Sequence, residues 1–221
     1  ARKLKLPIRG IAKKTIFQQF CGGESIQKCE PTIKQLNYHR VKTILDYSAE
    51  GSNHEKSFEQ VTQETLATIE KAKDDERLPF CVFKPTGIAS INLLEKIQAK
   101  KTLSPEEEAA FARVRQRIDT LCQAAYNAGI SIFIDGEESW IQDVIDGMVY
   151  EMMEKYNKQR AVVYNTYQMY RLDMLKNLKN AFRLAVTRQY FLGVKLVRGA
   201  YMEKERERAE EKGYPDPIQP N

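Results

Sequence analysis

An alternation constrains this chain more than any other feature. After residue 40, short apolar runs rich in β-branched and aromatic residues recur, each followed by a polar residue and then by a stretch with helical spacing. The runs are Val41 to Asp46, Pro79 to Phe83, Ile130 to Ile134, Ala161 to Tyr164 and Gly193 to Val197. Runs of this length read as strands, and the segments between them are long enough for crossover helices. Phe58, Val61, Leu66 and Ile69 mark the first such helix. Two more are predicted over 91–100 and 104–127. The second of these opens on Ser104-Pro105-Glu106-Glu107, with serine as N-cap, proline in the first helical position and Glu107 completing a capping box. Gly129 ends it. Further helices are predicted over 139–156, 169–190 and 203–212, and Pro215, Pro217 and Pro220 stop the last. Strand and helix alternating five times predict a parallel sheet.

Two architectures satisfy that pattern: a doubly wound open sheet and a (β/α)8 TIM-like barrel. None of the 11 glycines builds a G-x-G-x-x-G turn after the first strand, and there is no P-loop. The polar residues favour the barrel. Lys84, Asp135, Asn165 and Arg198 end four strands and Asp46 ends the other. In a barrel these ends converge on one face. Singly, each reads equally well as a hydrophilic strand terminus. Asp135 could cap the helix that follows it, with Glu137 and Glu138 favouring that helix's positive end. Together, two cations, an acid and an amide form a mouth suited to an anionic group beside a polar heterocycle. After the fifth strand, Gly199 and Ala200 let a flat cofactor approach the backbone, and Tyr201 offers an aromatic wall.

Composition narrows the partners. The net charge is +5, from 35 basic against 30 acidic residues. The charges interleave, as in Lys204-Glu205-Arg206-Glu207-Arg208, which reads as a solvated surface and argues against a nucleic-acid stripe. The exception is Arg2, Lys3, Lys5, Arg9, Lys13 and Lys14, a basic stretch suited to anionic lipid or an acidic protein surface. Residues 1–40 are expected to form a helical arm outside the sheet, punctuated at Gly22-Gly23 and Pro31, with 41–221 forming the barrel portion. Mean hydropathy is −0.55, and no apolar run approaches the ~18–20 residues of a membrane span. Cys21, Cys29, Cys81 and Cys122 make no C-x-x-C pair, so free thiols, a reducing compartment and no metal are expected. Cys81 and Cys122 read as core residues.

Lys195-Leu-Val-Arg-Gly-Ala-Tyr201, followed by Glu203 and Arg206, resembles the signature of the proline dehydrogenase (proline oxidase) family. Phe20 to Glu24, Leu45-Asp46-Tyr47, Phe83-Lys84, Ile134 to Glu138 and Tyr164 to Gln168 are similar to that family's earlier motifs, in the same order. The tail Gly213 to Ile218 resembles its monofunctional members. The resemblance implies FAD held in a distorted (β/α)8 barrel, oxidation of L-proline to Δ1-pyrroline-5-carboxylate, and electrons passed to a membrane quinone. It implies Lys84 and Tyr201 at the substrate, Asp135 and Lys195 as catalytic residues beside the flavin, and Gly136, Asn165, Arg198, Gly199 and Ala200 as flavin contacts. Lys195 stands where many bacterial members carry arginine, and lysine keeps the charge without the bidentate fork. The implied location is the cytoplasm or the inner face of a membrane, mitochondrial in a eukaryote.

Three other readings stay open: a Schiff-base aldolase using Lys84 or Lys195, a hydroxyproline dehydrogenase, and a non-enzymatic module that binds lipid or nucleic acid through residues 1–14. Five strand–helix units also fall short of the eight, in about 250 residues, of a complete barrel. Three further units are therefore expected, from the same protein or another chain, and the resemblance implies that they include an arginine pair gripping the substrate carboxylate.

Overall fold

In the computed structural model, which describes residues 21–47 and 51–220, five strands lie side by side in chain order. They are β1 (Ile44–Leu45), β2 (Phe80–Phe83), β3 (Ser131–Ile134), β4 (Val163–Gln168) and β5 (Val194–Val197), and every neighbouring pair is parallel. A doubly wound sheet reverses its strand order part-way, and this one does not. The architecture is α/β in the TIM-like barrel arrangement. The basic stretch within 1–14 and the first half of the expected arm lie outside the described residues.

Among the described residues eight helices precede, connect or follow the strands: α1 (Ile26–Tyr38), α2 (Glu55–Ala72), α3 (Pro85–Ile88), α4 (Ile91–Gln98), α5 (Pro105–Ala128), α6 (Ser139–Tyr156), α7 (Met174–Arg188) and α8 (Met202–Lys212). Local chemistry sets their ends. The capping box of α5 forms in full, with the Ser104 hydroxyl accepting the Glu107 N–H and the Glu107 carboxylate accepting the Ser104 N–H. Gly129 closes α5 at φ 72°, a backbone region that costs glycine little. In α2 the hydroxyls of Thr62, Thr65 and Thr68 bond the carbonyls one turn back, which lets three threonines face the interior.

Four elements depart from the pattern read along the chain. β1 keeps only two of six expected residues. It sits at the sheet edge, where Val41 and Ile44 remain 48% and 42% exposed. β4 runs past Asn165 to Gln168, because β-branched Thr166 and aromatic Tyr167 pair with Lys195 and Leu196 of β5. α7 starts at Met174 because residues 169–173 are held by the tail: the Leu172 N–H donates to the Pro217 carbonyl and the Gln219 N–H to that of Tyr170. α3, opened by Pro85-Thr86-Gly87, is a short helix beyond those predicted.

Before the sheet, irregular residues 21–25 lead into α1, and Pro31 lies inside α1 without ending it. α1 docks on the sheet layer through Ile33, 1% exposed and part of the main core. Arg77 anchors it, donating to Glu30 at 2.8 Å and to Asp75 at 2.7 Å. That guanidinium holds the Asp75 carboxyl well below the usual carboxylate range.

The two faces of the sheet differ. Toward the helices point Cys81, Phe83, Ile132, Ile134, Val163 and Tyr167, all at most 2% exposed. Each such aliphatic or aromatic side chain contributes about 1.5–3 kcal/mol. Burial also pushes the Cys81 thiol up to about 12, so it packs as a small apolar group. Toward the open face point Phe80, Phe133 and Tyr164, with ring centroids 4.4–5.6 Å apart. Lys195 follows on this face, its ammonium 5.3 Å from the Phe133 centroid.

Candidate active site

The carboxyl ends of β2 to β5 and the loops that follow them carry the charged side chains. Lys84 follows β2 and is the residue from which α3 starts. Asp135 follows β3, its N–H bonded to the Phe83 carbonyl of β2 at 3.1 Å. Lys195 is the second residue of β5, level with Thr166 of β4. Its ammonium meets the Asp135 carboxylate at 2.5 Å, with the two side chains 31% and 18% exposed. Asp135 is therefore no helix cap: Glu138 occupies the N-cap position of α6. Arg198, Gly199 and Ala200 are exposed at the end of β5, and half-buried Tyr201 starts α8. The Tyr201 N–H donates to the Tyr170 hydroxyl at 3.3 Å.

Close approach explains Gly136. A Cβ there would lie 3.2 Å from Gln142 Oε1 and 3.3 Å from Thr166, so a side chain would push the Asp135 loop off β4. Glu137, the next residue, is 2% exposed. Its carboxylate binds the N–H and hydroxyl of Thr86, and its own N–H donates to Gln142 Oε1 at 3.1 Å.

Asn165 occupies the other face. It is fully buried, its amide donating to Asp146 Oδ1 at 2.8 Å while its own oxygen accepts the Thr166 N–H. Gln142 also donates to Asp146, at 2.7 Å. Burial pushes the Asp146 carboxyl upward and the nearby Tyr167 hydroxyl up to about 12. Asp135 and Lys195 are thus brought together, Gly136 sits beside them in the loop, and Asn165 lies behind the sheet in the layer that ties β4 to α6.

Gln168 is the residue that the strand reading missed. It shares the face of Tyr164, Thr166 and Lys195, is 1% exposed, and donates to the Glu137 carbonyl at 2.6 Å. Its Oε1 is buried without a hydrogen-bond partner. A buried acceptor left unpaired costs about 1–3 kcal/mol. The signal for it was Thr166-Tyr167, which continues the alternation two residues beyond Asn165.

Among the described residues no helix is long and apolar enough to cross a membrane, and no three His, Cys, Asp or Glu side chains group as metal ligands.

A sequence profile of the family described as "Proline dehydrogenase" matches residues 29–221. The "Carbapenem antibiotics biosynthesis protein CarD" of Pectobacterium carotovorum subsp. carotovorum is 32% identical over 187 residues, 85% of this chain and 50% of that protein. "Proline dehydrogenase 1, mitochondrial" of Caenorhabditis elegans is 32% identical over 223 residues, 99% of this chain and 35% of that protein. The corresponding protein of Dictyostelium discoideum is 28% identical, over 98% of this chain and 45% of its own length. The chain spans half or less of the length of these curated relatives. Among solved structures, proline utilization A (PutA) from Bdellovibrio bacteriovorus, inactivated by N-propargylglycine, superposes with a TM-score of 0.81 at 18% identity, over 97% of this chain and 24% of that one. That likeness concerns the fold.

Proposed function

The chain belongs to the proline dehydrogenase family, and from that premise we propose that the protein oxidises L-proline to Δ1-pyrroline-5-carboxylate with FAD as hydride acceptor. The observation that carries the proposal is the meeting of Asp135, just beyond β3, with Lys195 of β5 at 2.5 Å across the intervening β4. The residues present suit a flavin. The orphaned Gln168 Oε1 offers an acceptor to a ring N–H, and the exposed Gly199-Ala200 backbone admits a flat ring system. Gly136, Arg198, Gly199 and Ala200 hold the cofactor in this reading, while Asn165 braces β4 from behind. Bound FAD supplies the hydride acceptor, and the protein supplies placement and field.

The chain's own residues then have defined tasks. Lys84 binds the proline carboxylate in a charge-assisted hydrogen bond of about 1.5–3 kcal/mol. Tyr201 lines the pocket. A hydride leaves the carbon beside the ring nitrogen only when that nitrogen is neutral and its lone pair can follow. Three cations, Lys84, Lys195 and Arg198, disfavour the ammonium form of the substrate while holding its carboxylate. Asp135 orients the Lys195 ammonium, a task arginine's fork would perform with two bonds.

The same pair weighs against Lys195 as the lysine of an aldolase. A Schiff-base lysine is an amine desolvated or set beside another cation, whereas Lys195 is held on a carboxylate. Proline is favoured over hydroxyproline by the names of the relatives. Transfer of electrons to a membrane quinone, and a site of action at the inner face of a membrane or in mitochondria, follow from the same family reading. The mitochondrial relatives of Dictyostelium and Caenorhabditis support the location.

Anaerobic addition of L-proline to the FAD-loaded protein tests the reaction. The yellow flavin band should bleach, and Lys84→Ala should weaken a carboxylate analogue roughly tenfold to a hundredfold. A protein that takes up no FAD, or whose flavin ignores proline, would overturn it.

A further inference from the structure

Glu137 and Glu205 are carboxylates only 2% and 0% exposed. A buried carboxylate is costly unless its oxygens are satisfied. Each of these places both oxygens on a single residue in the first turn of a helix of another strand–helix unit. Glu137, in the loop after β3, accepts the Thr86 N–H at 2.8 Å and the Thr86 hydroxyl. Thr86 lies two residues beyond Lys84. Glu205, on α8, accepts the Ser139 N–H at 2.7 Å and its hydroxyl at 2.6 Å. Ser139 is the first residue of α6.

Both links end within residues 137–139, the stretch that joins Asp135 to the start of α6. The Glu205 N–H returns to the Tyr201 carbonyl at 2.9 Å, so this carboxylate sits one turn from residues 198–201. Its neighbours on α8 reinforce it. Lys204 donates to Glu138 at 2.9 Å, and Arg208 stacks 4.1 Å from the Trp140 ring centroid while bonding Glu95.

We infer that Glu205 and Glu137 are positioning residues, with Glu205 setting residues 198–201 and Glu137 setting Lys84 against the single loop that bears Asp135. What this does at the active site rests on the proline and flavin reading above. Loss of Glu205 then loosens the cofactor, and loss of Glu137 loosens the substrate carboxylate.

The holoprotein provides the test. Glu205→Ala should weaken FAD about tenfold or more with little change in KM for proline, and Glu137→Ala should raise KM about tenfold with FAD affinity and kcat nearly unchanged. Glu205→Gln and Glu137→Gln should recover most of each loss, because an amide keeps one acceptor and donates to the hydroxyl in place of the other. Ser139→Ala gives a milder route to the Glu205 effect should Glu205→Ala fail to fold. Leu121→Ala, on the buried face of α5, should lower Tm with neither signature. Amide exchange needs neither flavin nor proline: Thr86 should exchange faster only without Glu137, and Ser139 only without Glu205. A wild-type protein that ignores proline would sink the reaction and leave exchange to decide this point. Unchanged exchange at both amides, or a Leu121→Ala protein that reproduces the split, would overturn the inference.

Discussion

β3 and β5 are both four-residue strands that deliver one partner of the same ion pair, yet they are held in opposite ways. β3 lies between β2 and β4, and its Ile132 and Ile134 are completely buried. β5 pairs with β4 alone among the described residues, and its Leu196 is 61% exposed. Leu175, Phe182 and Val186 of α7 are exposed as well. Position on β3 is therefore enforced by burial on both flanks. Position on β5 depends on one ladder and on side chains reaching across: Lys195 to Asp135, Lys204 to Glu138 and Glu205 to Ser139. One half of the site belongs to the core and the other is attached to it.

The sharpest way to break this contrast is to truncate matching residues. Ile132→Ala should cost about 2–5 kcal/mol of unfolding free energy. Leu196→Ala should stay within about 0.5 kcal/mol. Urea titration of the two variants checks it, and equal losses would erase the difference.

Next in size is Gly193, at the start of β5. A Cβ there would fall on the Val163 carbonyl and 2.9 Å from Tyr164 Cα, so Gly193→Ala must push β5 away from β4. A loss of about 1–3 kcal/mol is expected. Gly147, exposed on α6 with open space around its Cα, is the opposite case. Gly147→Ala should gain about 0.5–1 kcal/mol. Thermal melts of both variants decide the sign.

A smaller effect links the strands directly. A double-mutant cycle of Asp135→Asn and Lys195→Met should give a coupling of about 1 kcal/mol or less, since both groups keep some solvent. Zero coupling would mean that β5 is positioned without the pair.

The smallest effect is pH-dependent and belongs to the core side. Asp146 holds its proton more tightly folded than unfolded, because burial raises its pKa. Stability from this group is therefore lost as pH rises from the unfolded value, about 4, through the folded one. The amide oxygen of Asp146→Asn still accepts from Gln142 and Asn165 and escapes that loss. Its stability should match wild type at low pH and exceed it at neutral pH. Urea midpoints across that range would show the divergence, and parallel curves would refute it.

What could be read along the chain was local. The capping box of α5 and its closing glycine depend on neighbours within four residues, and both stand as read. The placement of Lys84, Asp135 and Arg198 directly after β2, β3 and β5 followed from the alternation alone. The Asp135–Lys195 contact did not, because it depends on the register of β5 against β4, and β4 extends further than its apolar run. Glu137 and Glu205 were illegible for a different reason. Their partners lie 51 and 66 residues away, and in sequence both look like ordinary charges beside a helix start or on a charged helix.

The central claim is that the flavin binds where a core-held strand meets an attached one. Amide exchange of the protein with and without FAD tests it most directly. Ile132, Phe133 and Ile134 should be strongly protected in both states. Lys195, Leu196 and residues 198–201 should exchange readily without FAD and gain protection when it binds. Equal protection of β3 and β5 in the absence of FAD, or protection by FAD that bypasses residues 198–201, would contradict the account.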